Sequence, residues 1–531
     1  MYARPATSTA TDRALRSALL VLLAGLLAGT AVIAGFESNR LTVLLILGGF
    51  VGFLGFLLAG NHRLYCLYGV IMLAPLAVSK QFVLMPHMGG ASSVAIDLID
   101  PLLLVLLGFQ LRDAAAGRTY WRITPMAKWV AGLMALGMLN MLLGPMRILA
   151  ALEVARTAKC LLLTIIIVNE VVRERQMMHV LTAMIAALAL QSTLGIIQGL
   201  FKISLGLQAL GEADFETIKN TAKATYLGDG ALAGFRSNGL LGHPNLLAVY
   251  IGMQLPICIA LMFSRLSALL RGLIAVAAGL AAAALMMTLS RSGWFSFGIA
   301  LVLLFALSFV HPRLQRRYLF ARVAAILFMV IVAASFSGAI IKRLTQSDPG
   351  AVNFRLEWNL AAWGMVAERP VMGFGLNTFI VHLPGRTEYG GAKGLTEGLG
   401  KDWPVVHNIY LLTWSEQGSL GFICFIGAFF SIFAAAIRNI RRYYSDVLFA
   451  VNLGALCGIV ALCIDGLASF YLRVPAASRS FWVIAALIFI IDHWNRVNAP
   501  QPRPLPAAPR PNPASPHPAN QGPAGAPVPA E

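Results

Sequence analysis

The chain predicts an all-α, polytopic membrane protein of about twelve to fourteen spanning helices, with a smaller helical and loop cap on one face. Three observations predict it. Of 531 residues, 58% are hydrophobic and only 12% charged, with a mean hydropathy of +0.74, far from the composition of a soluble globular chain. Apolar runs of roughly 18 to 23 residues recur, long enough to cross a hydrocarbon core as helices, and little of the pattern alternates as barrel strands would. The basic excess, 41 Lys+Arg against 23 Asp+Glu, lies in short connections between apolar runs, which marks orientation in a lipid bilayer and gives no support to nucleic-acid binding.

Taken in order, Met1 to Arg16 is polar and leads into Ala18 to Gly35 without a small-residue cleavage site, so it reads as a retained first helix. Spans centre near Ala24, Gly49, Val70, Leu104, Leu136, Leu162 and Ala187, which makes 1–200 an N-terminal helical region. Residues 201–242 form an outward segment with a short interfacial helix around Phe215 to Lys219. Residues 243–341 carry central spans near Met253, Leu280, Val302 and Phe328. Residues 342–406 form a large outward loop, in which Arg355-Leu356-Glu357-Trp358 and Trp363 have helical spacing, followed by a turn at Gly373-Phe374-Gly375 and a glycine-rich stretch up to Asp402-Trp403-Pro404. Its tryptophans argue for a packed cap. Residues 407–496 hold spans near Gly421, Leu456 and Ala485, and 497–531 is a Pro/Ala-rich tail that cannot bury a core and reads as disordered. With the N-terminus in the cytoplasm, the basic groups at His62-Arg63, Arg112 to Lys128, Arg173-Glu174-Arg175, Arg265 to Arg271, Arg313 to Arg322 and Arg438 to Arg442 all fall inside. The six cysteines have no metal-ligand spacing and read as free thiols.

Polar residues that interrupt such a chain carry its chemistry, and three patches fall at span ends on the same outer side. His407 starts a span, where an imidazole titrating near neutrality can take a proton from a hydroxyl; its bland alternative is a helix-start histidine bonded to Asn408. Arg291, in the short connection with Ser290, either binds an anion through its planar fork or snorkels to lipid phosphates. Arg236 precedes Gly242-His243-Pro244-Asn245, whose proline opens a helix with free backbone N–H groups suited to a diphosphate; His243 reads foremost as a cap. Glu153, Arg156 and Lys159 lie on one helix face, where Glu153 either neutralises Arg156 or leaves two cations to extend the anion site. Asp97, Asp100 and Asp465 read as carboxylates within spans, and Arg473 and Arg479 as interfacial anchors. Glu416 would orient His407 only if the helix bent, since nine residues separate them by about 13 Å. No nucleotide-binding loop or metal-ligand pair is visible, so neither cofactor nor metal is expected.

Arg-x-x-Gly and Gly-His-Pro-Asn before one span, Ser-Arg-Ser-Gly between two spans, a large outer loop and His-Asn-x-Tyr-Leu entering the next span resemble the O-antigen ligase and polymerase superfamily, over roughly Phe201 to Gly421. The resemblance implies an inverting, metal-independent glycosyltransferase of the bacterial inner membrane with its active site facing the periplasm. It implies an undecaprenyl-diphosphate-linked glycan as donor and, for the ligase branch, a sugar hydroxyl of lipid A-core as acceptor. Carried onto this chain, His407 would activate the acceptor and Arg236, Arg291, Arg156 and Lys159 would bind the donor diphosphate, supported by His243, Asn245, Ser290, Asn408 and Tyr410. Ligase is favoured because the outer loop is long. A polymerase or protein oligosaccharyltransferase shares these residues, and a lipid-linked oligosaccharide flippase is the alternative from another class, disfavoured by the lack of an internal repeat.

Overall fold

The computed structural model describes residues 51–84, 89–144, 146–214, 217–219, 234–310, 349–383, 405–442 and 445–498, with isolated positions at 49, 525 and between 323 and 341. The chain is an all-α membrane bundle. Its helices are α1 (His62–Leu73), α2 (Asp100–Ala115), α3 (Pro125–Leu143), α4 (Arg147–Glu170), α5 (Glu174–Phe201), α6 (Pro244–Met262), α7 (Ala268–Met287), α8 (Arg291–Val310), α9 (Pro349–Glu368), α10 (Ile409–Arg441), α11 (Asp446–Asp465) and α12 (Pro475–Asn498). Among the described residues, eight of them are long and apolar enough to cross a membrane: α3, α5, α6, α7, α8, α10, α11 and α12.

Those eight hold the expected centres from Leu136, Ala187, Met253, Leu280, Val302, Gly421, Leu456 and Ala485. The centre at Leu162 falls on α4, which is 24 residues long but charged at Arg147, Glu153, Arg156, Lys159 and Glu170. Val70 and Leu104 fall on helices of 12 and 16 residues, shorter than a full crossing. The expected spans at Ala24 and Phe328, the glycine-rich stretch before Pro404 and the Pro/Ala-rich tail lie outside the described residues. So do Phe215 and Glu216 of the expected interfacial helix, of which Thr217 to Lys219 are helical.

Helices α6 and α11 form the centre, and α12 packs beside them with nearly every side chain buried. Lipid tails supply no hydrophobic drive between helices, so close backbone approach has to do the work. Gly454 and Gly458 of α11 provide it: a Cβ at either would sit 2.4 Å from Ile257 Cα or 2.0 Å from Met253 O of α6. The end of the bundle holding the α4 and α10 C-termini is tied by charge. Arg63 pairs with Glu170 at 2.8 Å and Asp113 at 2.5 Å, Arg438 with Asp492 at 3.1 Å, and Arg265 with Asp446 at 2.7 Å.

A second, smaller core forms the cap. Trp358, Ala362 and Met365 of α9 bury against Phe374, Phe379 and Ile380, then against Val406, Ile409 and Phe470 at the entrance to α10. The cap is fixed where α10 breaks. Gly418 takes φ 61 and ψ −168, which interrupts the helix, and the outer segment fills the gap. Phe374 N and Gly375 N donate to the carbonyls of Ser415 and Glu416 at 3.0 and 2.8 Å, and Ser419 N donates to Pro370 O at 2.7 Å. Backbone groups freed at such a break need partners at this depth, and the 370–375 turn supplies them.

One element was not anticipated. Ser79–Phe82 (β1) pairs antiparallel with Val94–Asp97 (β2), Ser79 opposite Asp97 and Phe82 opposite Val94. Asp97, expected inside a helical span, is therefore on a strand, and Asp100 opens α2. A pair of four-residue strands is too short to register against the surrounding helical periodicity.

Candidate active site

Helix ends converge opposite the charge-tied end of the bundle. Arg236 lies in the extended stretch before α6, pinned to the end of α7: Ser237 N donates to Met287 O at 3.1 Å and Arg236 Nε donates to Thr288 O at 2.8 Å. Buried Gln198 holds this stretch in place, its Oε1 accepting from Asn238 N at 3.2 Å and Gly239 N at 2.8 Å. The Arg236 guanidinium also donates to Asn245 Oδ1 on the first turn of α6. Arg291 opens α8 three residues beyond Thr288, after a turn in which Leu289 takes a left-handed φ of 50° and Ser290 Oγ accepts from Gly293 N at 3.4 Å. The turn that receives the Arg236 guanidinium thus leads directly into Arg291. The Arg291 guanidinium has no carboxylate partner among the described residues.

His407 precedes α10, whose first turn is capped by Asn408 Oδ1 accepting from Tyr410 N at 3.0 Å and Leu411 N at 3.1 Å. The imidazole is partly buried, stacked on Trp358 at 5.9 Å and 20°, with Phe470 edge-on at 5.3 Å. Its Nδ1 lies 3.0 Å from Val405 O. A carbonyl only accepts, so Nδ1 carries the proton and Nε2 keeps a lone pair. Burial first, then the charge of Arg355, lower the pKa from 6.5 to about 4 against the opposing Val405 bond. The ring is neutral at pH 7 and already in the tautomer of a base.

His243 caps α6, its Nδ1 accepting from Asn245 N at 3.1 Å. Burial, then the charges of Arg236, His407 and Arg355, push its pKa down to about 3, so it stays neutral. Tyr471 lies 6.3 Å from the His243 ring; burial raises its pKa to about 12. Asp465 is buried at the end of α11, its Oδ2 accepting from Ser469 Oγ at 2.6 Å, close to Ser292, the neighbour of Arg291. The charge of Arg355 acts on His407, His243, Tyr471 and Asp465 alike. Arg236, His243, Asn245, Ser290, Arg291 and His407 are therefore brought to one place, and Arg355, Trp358, Asp465, Phe470 and Tyr471 join them. The signal for Arg355 and Trp358 was their placement three residues apart on an outer helix.

Other candidates sit elsewhere. Arg156 pairs with Glu153 at 2.5 Å, and Lys159 with Asp97 and Asp100 at 2.6 Å each, so neither cation stands ready for a diphosphate. Tyr410 Oη donates to Cys463 O at 2.8 Å, tying α10 to α11. Glu416 does not reach the imidazole: it accepts from Phe379 N at 3.1 Å and from Arg473 Nη2 at 2.7 Å. Arg473 and Arg479, read as surface anchors, are 7% and 4% exposed and ion-paired to Glu416 and Asp97. An anchor keeps its charge in water or headgroups, whereas these two are sealed inside with carboxylates.

No curated protein matches the chain. Residues 276–426 match the family model described as O-antigen ligase (Wzy_C), a stretch that takes in Arg291, Arg355, Trp358 and His407 and stops short of Arg236 and Asp465. With the polar motifs in the order found here, that match supports membership of the O-antigen ligase/polymerase superfamily, whose members are membrane glycosyltransferase-like enzymes acting on lipid-linked glycans.

Proposed function

We propose that the chain is an O-antigen ligase, transferring a glycan from an undecaprenyl-diphosphate donor to a sugar hydroxyl of lipid A-core at the periplasmic face of the inner membrane, with inversion and without metal. The observation that carries the reading is a neutral imidazole with its lone pair on Nε2, beside Arg355 and the turn that receives Arg236 and leads into Arg291. The acceptor oxygen attacks the anomeric carbon as the bond from that carbon to the diphosphate oxygen breaks. The hydroxyl proton passes to His407 Nε2, and the leaving lipid diphosphate keeps the electron pair. Arginines fixed in advance stabilise that growing charge without reorganising. The charge-tied opposite end carries Arg63, Arg265 and Arg438, which favours the cytoplasm for that end and the periplasm for the site. The long, packed cap around Trp358 favours a bulky acceptor and hence the ligase branch.

The test is transfer by the purified protein with donor and lipid A-core. His407→Gln is expected to lower kcat by about 10²- to 10⁴-fold, the usual worth of general-base assistance, with donor binding retained. Arg291→Ala is expected to weaken donor binding as well. Full activity from the histidine variant would remove the assignment, and transfer only to a second lipid-linked glycan would move the chain to the polymerase branch.

A further inference from the structure

Beneath the hairpin lies a cavity of about 220 Å³, lined by apolar and charged side chains together, which the mechanism above does not use. At ~30 Å³ per water it has room for about seven waters, on the scale of a single sugar ring. Its lining includes Ser79, Gln81, Asp97, Arg156, Lys159 and Arg479. Lys159 stands halfway along α4, about 18 Å from its start. Irregular or strand backbone and ionisable groups at such depth are tolerated where they line a cavity.

On β2, Ile96 is 54% exposed, whereas Asp97, the last residue of the strand, is buried and lines the cavity.

Charge identifies the ligand class. Four cations meet four carboxylates in two separate sets of ion pairs: Arg156 and Arg473 with Glu153 and Glu416, and Lys159 and Arg479 with Asp97 and Asp100. A diphosphate would find every cation already neutralised. A neutral polyol suits these pairs, because each hydroxyl both donates to carboxylates and accepts from guanidinium or ammonium groups.

The cavity also adjoins the base. Gly90 lines it, and at neighbouring Gly89 a Cβ would lie 2.5 Å from Val405 Cγ2, two residues before His407. On the other side, the Tyr471–Arg473 turn follows Phe470, whose ring contacts His407.

We propose that this cavity is a glycan subsite, in which the hairpin together with Arg156, Lys159 and Arg479 holds a neutral sugar of a glycolipid substrate while the diphosphate sits with Arg236 and Arg291. The proposal rests on the transferase reading and names where its sugar is recognised.

The test is hydrogen exchange on residues 79–97 of the full-length protein in lipid nanodiscs, with three separate additions: bare undecaprenyl diphosphate, the lipid-linked glycan extracted from the source membranes, and the lipid A-core acceptor. Slowing of the hairpin amides by threefold or more is expected with a glycan-bearing lipid and not with the bare diphosphate. Protection by the extracted donor assigns the cavity to the donor glycan, and protection by the acceptor assigns it to the acceptor. Gln81→Leu, at an exposed strand position, is expected to raise KM for that same lipid at least fivefold with kcat held. Binding of bare lipid diphosphate without glycan-dependent protection overturns the subsite and leaves the transferase reading standing, and equal protection by bare diphosphate overturns it as well. Failure of the bare lipid diphosphate to bind strikes the transferase reading instead.

Discussion

At the residue scale, His407 is prepared for proton removal by its surroundings more than by its own chemistry. The Val405 carbonyl selects the tautomer, and burial with Arg355 keeps the ring neutral. A base with a pKa near 4 is ready but weak, and the bound diphosphate, by offsetting nearby positive charge, favours the imidazolium and strengthens the base. Activity requires the neutral ring, so it falls as pH drops through that pKa. The acid limb of kcat/KM, which reports the free protein, is expected near pH 4, and that of kcat at higher pH. Arg355→Ala removes the second cause and leaves the first, so the kcat/KM limb should rise without reaching 6.5. Unmoved limbs in a pH–rate titration would separate Arg355 from the imidazole. The polar residues at span ends were legible in the sequence because a charge beside an apolar run needs a reason. Arg355 and Trp358 were legible only as helix-spaced residues, since nothing local ties an outer helix to a histidine some fifty positions on.

At the element scale, the break in α10 is the feature that periodicity hid. The run from Ile409 to Arg441 is apolar and helical on either side of Gly418, so its pattern reads as one continuous helix. A φ of 61 with ψ of −168 falls where only glycine is comfortable, and an added Cβ would lie 2.2 Å from Val371 O. Gly418→Ala is therefore expected to cost on the order of 1–3 kcal/mol from backbone strain alone. The six free cysteines give a direct reading, since unfolding exposes them to a thiol-reactive dye. A melting temperature equal to wild type would show that the break tolerates a side chain. The hairpin was equally hidden, for its strands are four residues long and its partners for Lys159 come from about sixty residues away. Sequence spacing exposed Glu153 beside Arg156 on one helix turn, whereas the pairing of Lys159 with Asp97 depends on tertiary contact.

At the scale of the whole molecule, composition and the length of the apolar runs made the fold class legible, because only helices satisfy their own backbone in lipid over such lengths. The two ends of the bundle then differ in kind: one closes with ion pairs on largely buried carboxylates, the other gathers arginines around an imidazole. Cysteines introduced singly at exposed Leu467 and exposed Arg441, in a chain freed of its native thiols, should report this asymmetry. An impermeant maleimide added to spheroplasts is expected to label Leu467→Cys, and Arg441→Cys only after permeabilisation; the reverse pattern would invert the orientation. The cap is keyed to the bundle by reciprocal intrusion, the backbone around Glu416 occupying the space a Cβ would need at Gly373, and the Val371 carbonyl doing the same at Gly418. Neither position can gain a methyl without evicting the other's main chain. Across homologous lineages the two glycines are thus bound to persist or vanish jointly, a covariation signature by which cap register can be traced even where the reactive motifs have drifted.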